Sequence, residues 1–398
     1  MLRFRSASTS VADTEKAAAR ALDDALGGEP GDDVCLIVFH VSVGHDLPTV
    51  TRVLRERCRS ARLVGCTAGG TIGREGANEA SRAFALMAIE GDPREIVVAH
   101  VDSIRADDAR ARGRELALAA AASRRDVNML MLLTSGLDVD VDEAIAGIES
   151  VFGADTTIFG GTSGDNNMAL RTHQIVDERV FEHAAILVGF ADPTLRIDAQ
   201  ASHGFLPAGI ELEVTRGSGH RVHELDGEPA WRVYTRTLGL PETARTIDTA
   251  GPGALGVALP EDLAREYGDS HILRAVLRHH PDGTIELPTS CPAGARLAVM
   301  LRDEPRIFGN LDAMMEQLVR RIGGRRPVAV FHTDCAARGR LTVSRVAKEE
   351  IVAHMQRPIF PEVIGPWLGM YGFGEITPLG GRNRFHNYTT SLYVISRA

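Results

Sequence analysis

Two stretches of this chain combine glycines with hydroxyls in a pattern suited to holding an anion. Leu63-Val64-Gly65-Cys66-Thr67-Ala68-Gly69-Gly70 returns later as Thr157-Ile158-Phe159-Gly160-Gly161-Thr162-Ser163-Gly164-Asp165. In each, an apolar strand runs into a turn whose glycines let backbone amides approach a ligand. The hydroxyls of Thr67, Thr162 and Ser163 can donate to a carboxylate or phosphate, and a nest of amides is a natural anion site. Gly65, Cys66, Thr67, Gly69 and Gly70, with Gly160, Gly161, Thr162, Ser163, Gly164 and Asp165, are therefore candidate ligand-binding residues. No helix is expected after either turn, which excludes a dinucleotide fingerprint or a P-loop. The alternative use of the same glycines is steric, a tight crossing where two lobes pack. Gly65-Cys66-Thr67-Ala68-Gly69 has the outline of a nucleophile elbow, but it leads from strand to strand and lacks the central serine. A cysteine in such a place is more often an inert small hydrophobe.

The second half of the chain holds further polar groups. Phe331-His332-Thr333-Asp334-Cys335-Ala336-Ala337-Arg338-Gly339 follows an apolar strand, and Cys335 and Arg338 are candidate site residues. Alternation along a strand sends neighbours to opposite faces, so only some of this run can converge. Gly374-Glu375 and His386-Asn387-Tyr388-Thr389-Thr390 add Glu375, His386 and Asn387, which can orient a small polar ligand or pair the last strands. Arg338 and Glu375 would suit the two ends of a zwitterion. The histidines form no His-x-x-x-His pair, so zinc is not expected. His203, ahead of a glycine-rich turn, is the candidate iron ligand only if haem binds.

The elements that must position these groups repeat. Segments 10–26, 46–60, 106–123 and 140–152 read as helices, with Asp13 in a capping arrangement, Pro48 in a first turn, and Gly27 and Gly153 as stops. Segments 32–39, 61–64, 83–90 and 95–102 read as strands, and 127–133, 156–159 and the run from His183 repeat them. Each unit is thus helix, strand, helix, strand, strand, strand. The crossover helix implies a parallel pair, and the two closely spaced last strands are expected to pair antiparallel with each other. Internal duplication of this kind outweighs any single motif in deciding the fold. The expectation is an α/β (mixed α+β) protein of duplicated units, with mixed sheets covered by helices and a second, C-terminal α+β domain. A lead-in covers 1–29. The first domain covers 30–220, with repeats at about 30–104 and 105–202, and the second covers 221–398. Residues 239–262 read as a long Gly- and Pro-rich connection. Beyond it, strands are expected near 271–279, 284–287, 296–301, 327–333, 367–372 and 385–396, with helices at 310–322 and 344–356.

At 398 residues the chain has ample apolar material for two domains. A net charge of −9 and the lack of any basic run exclude nonspecific nucleic-acid binding. No apolar stretch is long enough to span a membrane, and the first residues lack a signal core, so a cytoplasmic protein is expected. Five cysteines without Cys-x-x-Cys spacing fit reduced thiols.

Taken in order, the motifs resemble the FIST sensory family, named for F-box and intracellular signal transduction proteins. The resemblance runs over about 30–395. It rests on Leu63 to Gly70, Phe159 to Asn166, His203 to Gly209 with Val214-Thr215, and Val222-His223-Glu224-Leu225-Asp226-Gly227-Glu228-Pro229-Ala230. Leu273-Arg274-Ala275-Val276, Pro292-Ala293-Gly294-Ala295, Cys335 to Gly339, Gly374-Glu375-Ile376 and His386 to Thr390 complete it. The resemblance implies a non-enzymatic sensor of a small ligand, amino acids being the class in view. It also implies signalling to a separate histidine kinase or cyclic-dinucleotide signalling protein. No cofactor is expected, although a subgroup of the family binds haem and senses nitric oxide. Phe205 stands where the family often has tryptophan. The remaining alternative is a cysteine- or threonine-dependent hydrolase using Cys66 or Cys335.

Overall fold

The computed structural model describes residues 1–166, 169–338 and 345–397, with the side chains of 345–351 outside that description. Gly339 therefore lies outside the described residues. The first module consists of β1 (Arg3–Thr9), α1 (Thr14–Leu26), β2 (Val34–Ser42), α2 (Leu47–Arg57), β3 (Arg62–Ala68), the hairpin β4 (Thr71–Gly73) and β5 (Gly76–Asn78), and β6 (Phe84–Glu90). The second repeats it: β7 (Ile96–Val101), α3 (Ala109–Ser123), β8 (Met129–Thr134), α4 (Val141–Phe152), β9 (Thr157–Thr162), β10 (Gln174–Val176) with β11 (Arg179–Phe181), and β12 (Ala185–Phe190). Local chemistry sets the helix ends. Asp13, Asp46 and Asp140 accept from the amides of Lys16, Thr49 and Glu143, and Gly27 closes α1 at φ 64.

After β13 (Leu195–Ser202) comes an inserted layer. It contains β14 (Phe205–Ser218), β15 (Arg221–Leu225), β16 (Glu228–Pro229), α5 (Ala230–Thr237), α6 (Thr246–Thr249), β17 (Gly253–Ala258), α7 (Glu261–Tyr267), β18 (His271–Arg274), β19 (Arg278–His279), β20 (Ile285–Glu286) and β21 (Arg296–Arg302). Its strands form one antiparallel sheet around Trp231, Tyr234 and Leu297. The stretch expected as a connection contains β17, which pairs with both β18 and β21. Its glycines serve close strand packing: a Cβ on Gly256 would stand 2.7 Å from Met300 Cγ.

The chain then closes a third module with α8 (Glu304–Ile322), β22 (Arg326–Cys335), α9 (Arg345–Ile359), β23 (Trp367–Gly372), β24 (Gly374–Leu379) with β25 (Arg382–His386), and β26 (Thr390–Arg397). The three module sheets run β1-β6-β2-β3-β10-β11, β7-β12-β8-β9-β24-β25 and β13-β26-β22-β23-β4-β5. In each, the pair joined by a crossover helix is parallel, as its length requires. Each hairpin leaves its own module and adds to the next sheet around: β10 pairs with β3, β24 with β9, and β4 with β23. The exchange is cyclic, so the modules enclose a shared axis.

The last two strands of each unit do not pair with each other, against the expectation from their spacing. β6 stays in its own sheet beside β2, while β7 leaves and pairs with β12. The link between them is a short helical turn, Pro93–Glu95, that redirects the chain rather than a hairpin. The unit therefore begins one strand earlier than the pattern implied, and β1 is the first such strand. An apolar core on the axis draws Val38, Val64, Met131, Phe159, Phe331 and Leu368 from all three sheets. Separate outer cores lie beneath each helix pair, which explains why β2 and β8 are apolar on both faces.

Candidate functional site

The glycine turns meet on the axis, and a third turn from β23 joins them. Gly164 N donates to Thr67 O (2.9 Å), Phe373 N to Thr162 O (3.3 Å) and Gly69 N to Tyr371 O (2.8 Å), a closed ring of three equivalent bonds. The glycines permit this approach. A Cβ on Gly69 would stand 2.9 Å from Asp165 O, on Gly164 3.0 Å from Tyr371 O, and on Gly70 2.7 Å from Asn78 O. One on Gly65 would stand 2.6 Å from the Phe39 ring, and one on Gly161 2.6 Å from Gly374 O. Gly160 takes φ 128, which favours glycine.

The polar groups of these turns have partners of their own. Thr67 Oγ1 accepts from His173 N (2.8 Å). Ser163 Oγ donates to Thr134 O (3.1 Å) and accepts from Gln174 Nε2 (2.7 Å). The Asp165 carboxylate accepts from the amides of Ala169, Leu170 and Arg171. Thr162 Oγ1 is buried without a partner. The Gly69 and Gly164 amides that an anion would use thus hold the modules together. Cys66 faces the axial core, where burial pushes its thiol well up.

A second polar cluster lies in the seam between the third module and the inserted layer. β22 ends at Asp334 and Cys335, and the turn Ala336–Arg338 brings Arg338 Nε to 3.0 Å from Asp334 Oδ1. Burial opposes ionisation of Asp334, but the guanidinium of Arg338 and the hydrogen bonds from His332 and Thr390 outweigh it, and its pKa falls. Glu375 starts β24 and is fully enclosed. Its Oε2 accepts from Thr389 N (3.1 Å) and Oγ1 (2.6 Å), while its Oε1 has no partner. Burial, with help from nearby Asp334, drives its pKa well above the usual carboxylate range, which favours the protonated form. Burial, with a smaller contribution from Glu375, also raises the Cys335 thiol.

The inserted layer closes this cluster. Arg302, at the end of β21, pairs in register with Phe205, whose ring packs on Tyr388 at 5.1 Å. Arg302 is 11% exposed, its Nη2 is unpartnered, and its nearest carboxylate is Glu304 at 4.0 Å, itself 64% exposed. Burial lowers its pKa, and the charge of Arg338 adds to that. Tyr388 holds φ 58, a left-handed backbone that costs an aromatic residue strain and is found at ligand clamps. Among the expected site residues, Cys335, Arg338, Glu375, His386 and Asn387 therefore come together here. His386 Nε2 donates to Thr377 O (3.0 Å), its Nδ1 meets Tyr267 Oη (3.2 Å), and Asn387 bridges Ala275 N and Phe373 O. Arg302 and Tyr267 escaped the sequence reading because each is an unremarkable residue at the end of an element that only the tertiary fold brings here.

His203 is sealed in the same region. Its Nε2 donates to His271 O (2.9 Å), while its Nδ1 accepts from Phe205 N (3.2 Å) and lies 3.3 Å from Asp269 Oδ2. Burial lowers its pKa to about 3. With both ring nitrogens engaged, no lone pair is left for iron, so His203 does not fit haem. Among the described residues no three His, Cys, Asp or Glu side chains gather to hold a metal ion. No described helix is long and apolar enough to cross a membrane.

Comparison with known proteins places these features. A model of the FIST N domain matches residues 35–228 and one of the FIST C domain matches 230–378. An uncharacterized protein of Mycobacterium tuberculosis is 24% identical over 386 residues, 95% of this chain and 94% of that one. Another, of Mycobacterium bovis, is 28% identical over 239 residues, 59% of this chain and 58% of its own length. Over that match the chain spans 58% of the relative. Among solved structures, a cyanuric acid hydrolase from A. caulinodans superposes over 100% of both chains at TM-score 0.40 and 8% identity. None of these similarities supports a haem-binding subgroup. Since the two matched segments together take in nearly the whole chain, the protein belongs to the FIST family.

Proposed function

We propose that this protein is a sensor that binds a small zwitterion, such as an amino acid, in the seam between the third module and the inserted layer. Arg302 and Arg338 take the ligand's carboxylate, and Glu375 takes its ammonium group. The reading rests on one observation: a wholly buried carboxyl with an unused oxygen shares a seam with a mostly buried guanidinium that has an unused nitrogen. Unpartnered buried polar groups are costly, and a ligand that completes their hydrogen bonds removes that cost. An incoming ammonium also stabilises the ionised form of Glu375.

The protein acts in this reading by binding rather than turnover. The raised thiols of Cys66 and Cys335 support that, since thiolate is the nucleophile. Because the ligand touches both the third module and the inserted layer, it shifts the balance between their arrangements. A separate cytoplasmic partner, a histidine kinase or cyclic-dinucleotide signalling protein, then reads that shift.

Isothermal titration against the common amino acids tests the site. Arg302→Gln and Glu375→Gln are each expected to weaken binding by about 10- to 100-fold, the range for a hydrogen bond to a charged group. Thr67→Val should leave it unchanged. Unaltered affinity in both seam variants would move the ligand elsewhere.

A further inference from the structure

The axial ring carries a second chemistry, separate from the seam. Cys66, Gly161 and Met370 occupy equivalent places, each one residue before the carbonyl (Thr67, Thr162, Tyr371) that accepts from the next module's turn. Cys66 Sγ lies 3.3 Å from His40 Nδ1 and 3.4 Å from Met370 Sδ. The imidazole reaches it from β2, in register with Cys66 across the parallel pair, and the thioether from β23 of the third module. Gly161 leaves the axis open on the remaining side, where a Cβ would stand 3.2 Å from Met370 Cε. His40 and Met370, though not Cys66, line one small void that Met131, Leu133, Phe159, His332 and Thr333 also wall, with room for about one water-sized group. A thiol, an imidazole and a thioether thus converge in the axial core, beside a space of atomic size.

From this geometry we infer that His40, Cys66 and Met370 form a three-coordinate site for a soft monovalent cation, Cu(I). Two physical points select this ion. Thiolate and thioether are soft donors that favour Cu(I), whereas Mg(II) and Ca(II) require oxygens. Charge decides between Cu(I) and Zn(II). A monocation that displaces the thiol proton to solvent leaves a neutral centre, while a dication would leave a net positive charge in a dry core, which is expensive to bury. The Cys66 separations of 3.3 and 3.4 Å are shorter than the roughly 3.7–4.0 Å that bonds of about 2.0–2.3 Å span at a trigonal ion, so the donors would part by about half an ångström on binding. The surrounding wall of Met131, Leu133 and Phe159 would keep water from the ion.

Anaerobic titration of the folded protein with Cu(I), against a competing Cu(I) chelator, tests the inference. A single tightly held copper is expected, with X-ray absorption showing two sulfurs and one nitrogen, and no retention of Zn(II). Met370→Leu, which keeps volume and so the fold, should weaken Cu(I) by about 10-fold or more and remove one sulfur scatterer, the loss that even a supporting partner of a metal site can command. Cys66→Ala should abolish the site. Both variants keep Cys35, Cys58, Cys291 and Cys335. Retention as tight as in the unaltered protein would therefore assign the metal to other thiols and overturn the inference. So would failure of the unaltered protein to retain copper. Amino-acid binding at the seam should be the same in Met370→Leu, which separates this inference from the sensor reading.

Discussion

Glu375 has one oxygen bonded to Thr389 and the other bonded to nothing, with burial on every side. Its folded pKa lies well above the unfolded value of 4.5. The folded state therefore binds more protons than the unfolded state above that pH, and stability falls as pH rises from about 4.5 toward the folded pKa, at about 1.4 kcal/mol per unit. Gln cannot ionise and keeps an acceptor for Thr389. In the absence of ligand, Glu375→Gln is expected to be more stable than the unaltered protein at neutral pH, with the gap closing near pH 4.5. Denaturant unfolding at the two pH values measures this. An equal gap at both would mean that the carboxyl is not held protonated. Comparing the two proteins cancels other titrating groups, such as Asp269, whose pKa burial raises to about 6. In the sequence Glu375 was visible as a polar residue beside Gly374, but its isolation depends on β24 crossing to β9 of the second module.

Among the elements, α3 and α4 show how small residues set a helix pair. A Cβ on Gly113 would collide with the Ala144 carbonyl, and one on Gly147 with the Arg110 carbonyl. Helix propensity alone favours Ala over Gly by about 1 kcal/mol. At Gly113 the collision is with rigid backbone, so Gly113→Ala should destabilise by about 1–3 kcal/mol. Gly309, within α8, would place its Cβ in open space. Gly309→Ala should stabilise by about 0.5–1 kcal/mol. Thermal unfolding of the pair reads the two signs, and a stabilised Gly113→Ala would refute the tight crossing. The helices themselves were legible, since Asp13 caps α1, Pro48 stands in the first turn of α2, and Gly27 and Gly153 close α1 and α4. β1 was not. Its Arg3-Phe4-Arg5-Ser6 opening is too polar for a buried-strand reading, and it forms because β6 supplies seven paired positions.

At the scale of the molecule, the hairpin exchange makes the three modules interdependent. The hairpin β4–β5 belongs to the first module but completes the third module's sheet, and β24 covers the edge of β9. The two chain ends are tied at Asp192, which accepts from Leu2 N (2.8 Å) and from Arg397 Nη2 (3.2 Å). A piece ending at Ser202 would keep two modules but lose the partners of β4 and β9 and one side of the axial core. Exposed strand edges of that kind aggregate. Such a piece is expected to show no cooperative unfolding by itself and to become soluble when co-expressed with the remainder. A sharp monomeric transition for the isolated piece would contradict this.

By itself the sequence determined the unit: its helix caps, its buried strands, its crossover pairs and the glycine turns, because each depends on residues close together in the chain. The same proximity hid the third unit. An inserted layer separates β13 from α8, and the third turn reads Gly369-Met370-Tyr371-Gly372, without the threonine that marks the other two. Only the tertiary structure decided which sheet each hairpin joins, and therefore that the turns bond to one another and that the unpartnered groups gather in the seam. Strand pairing across modules depends on edges that are complementary in space, and a linear order of residues does not record which edge is nearest.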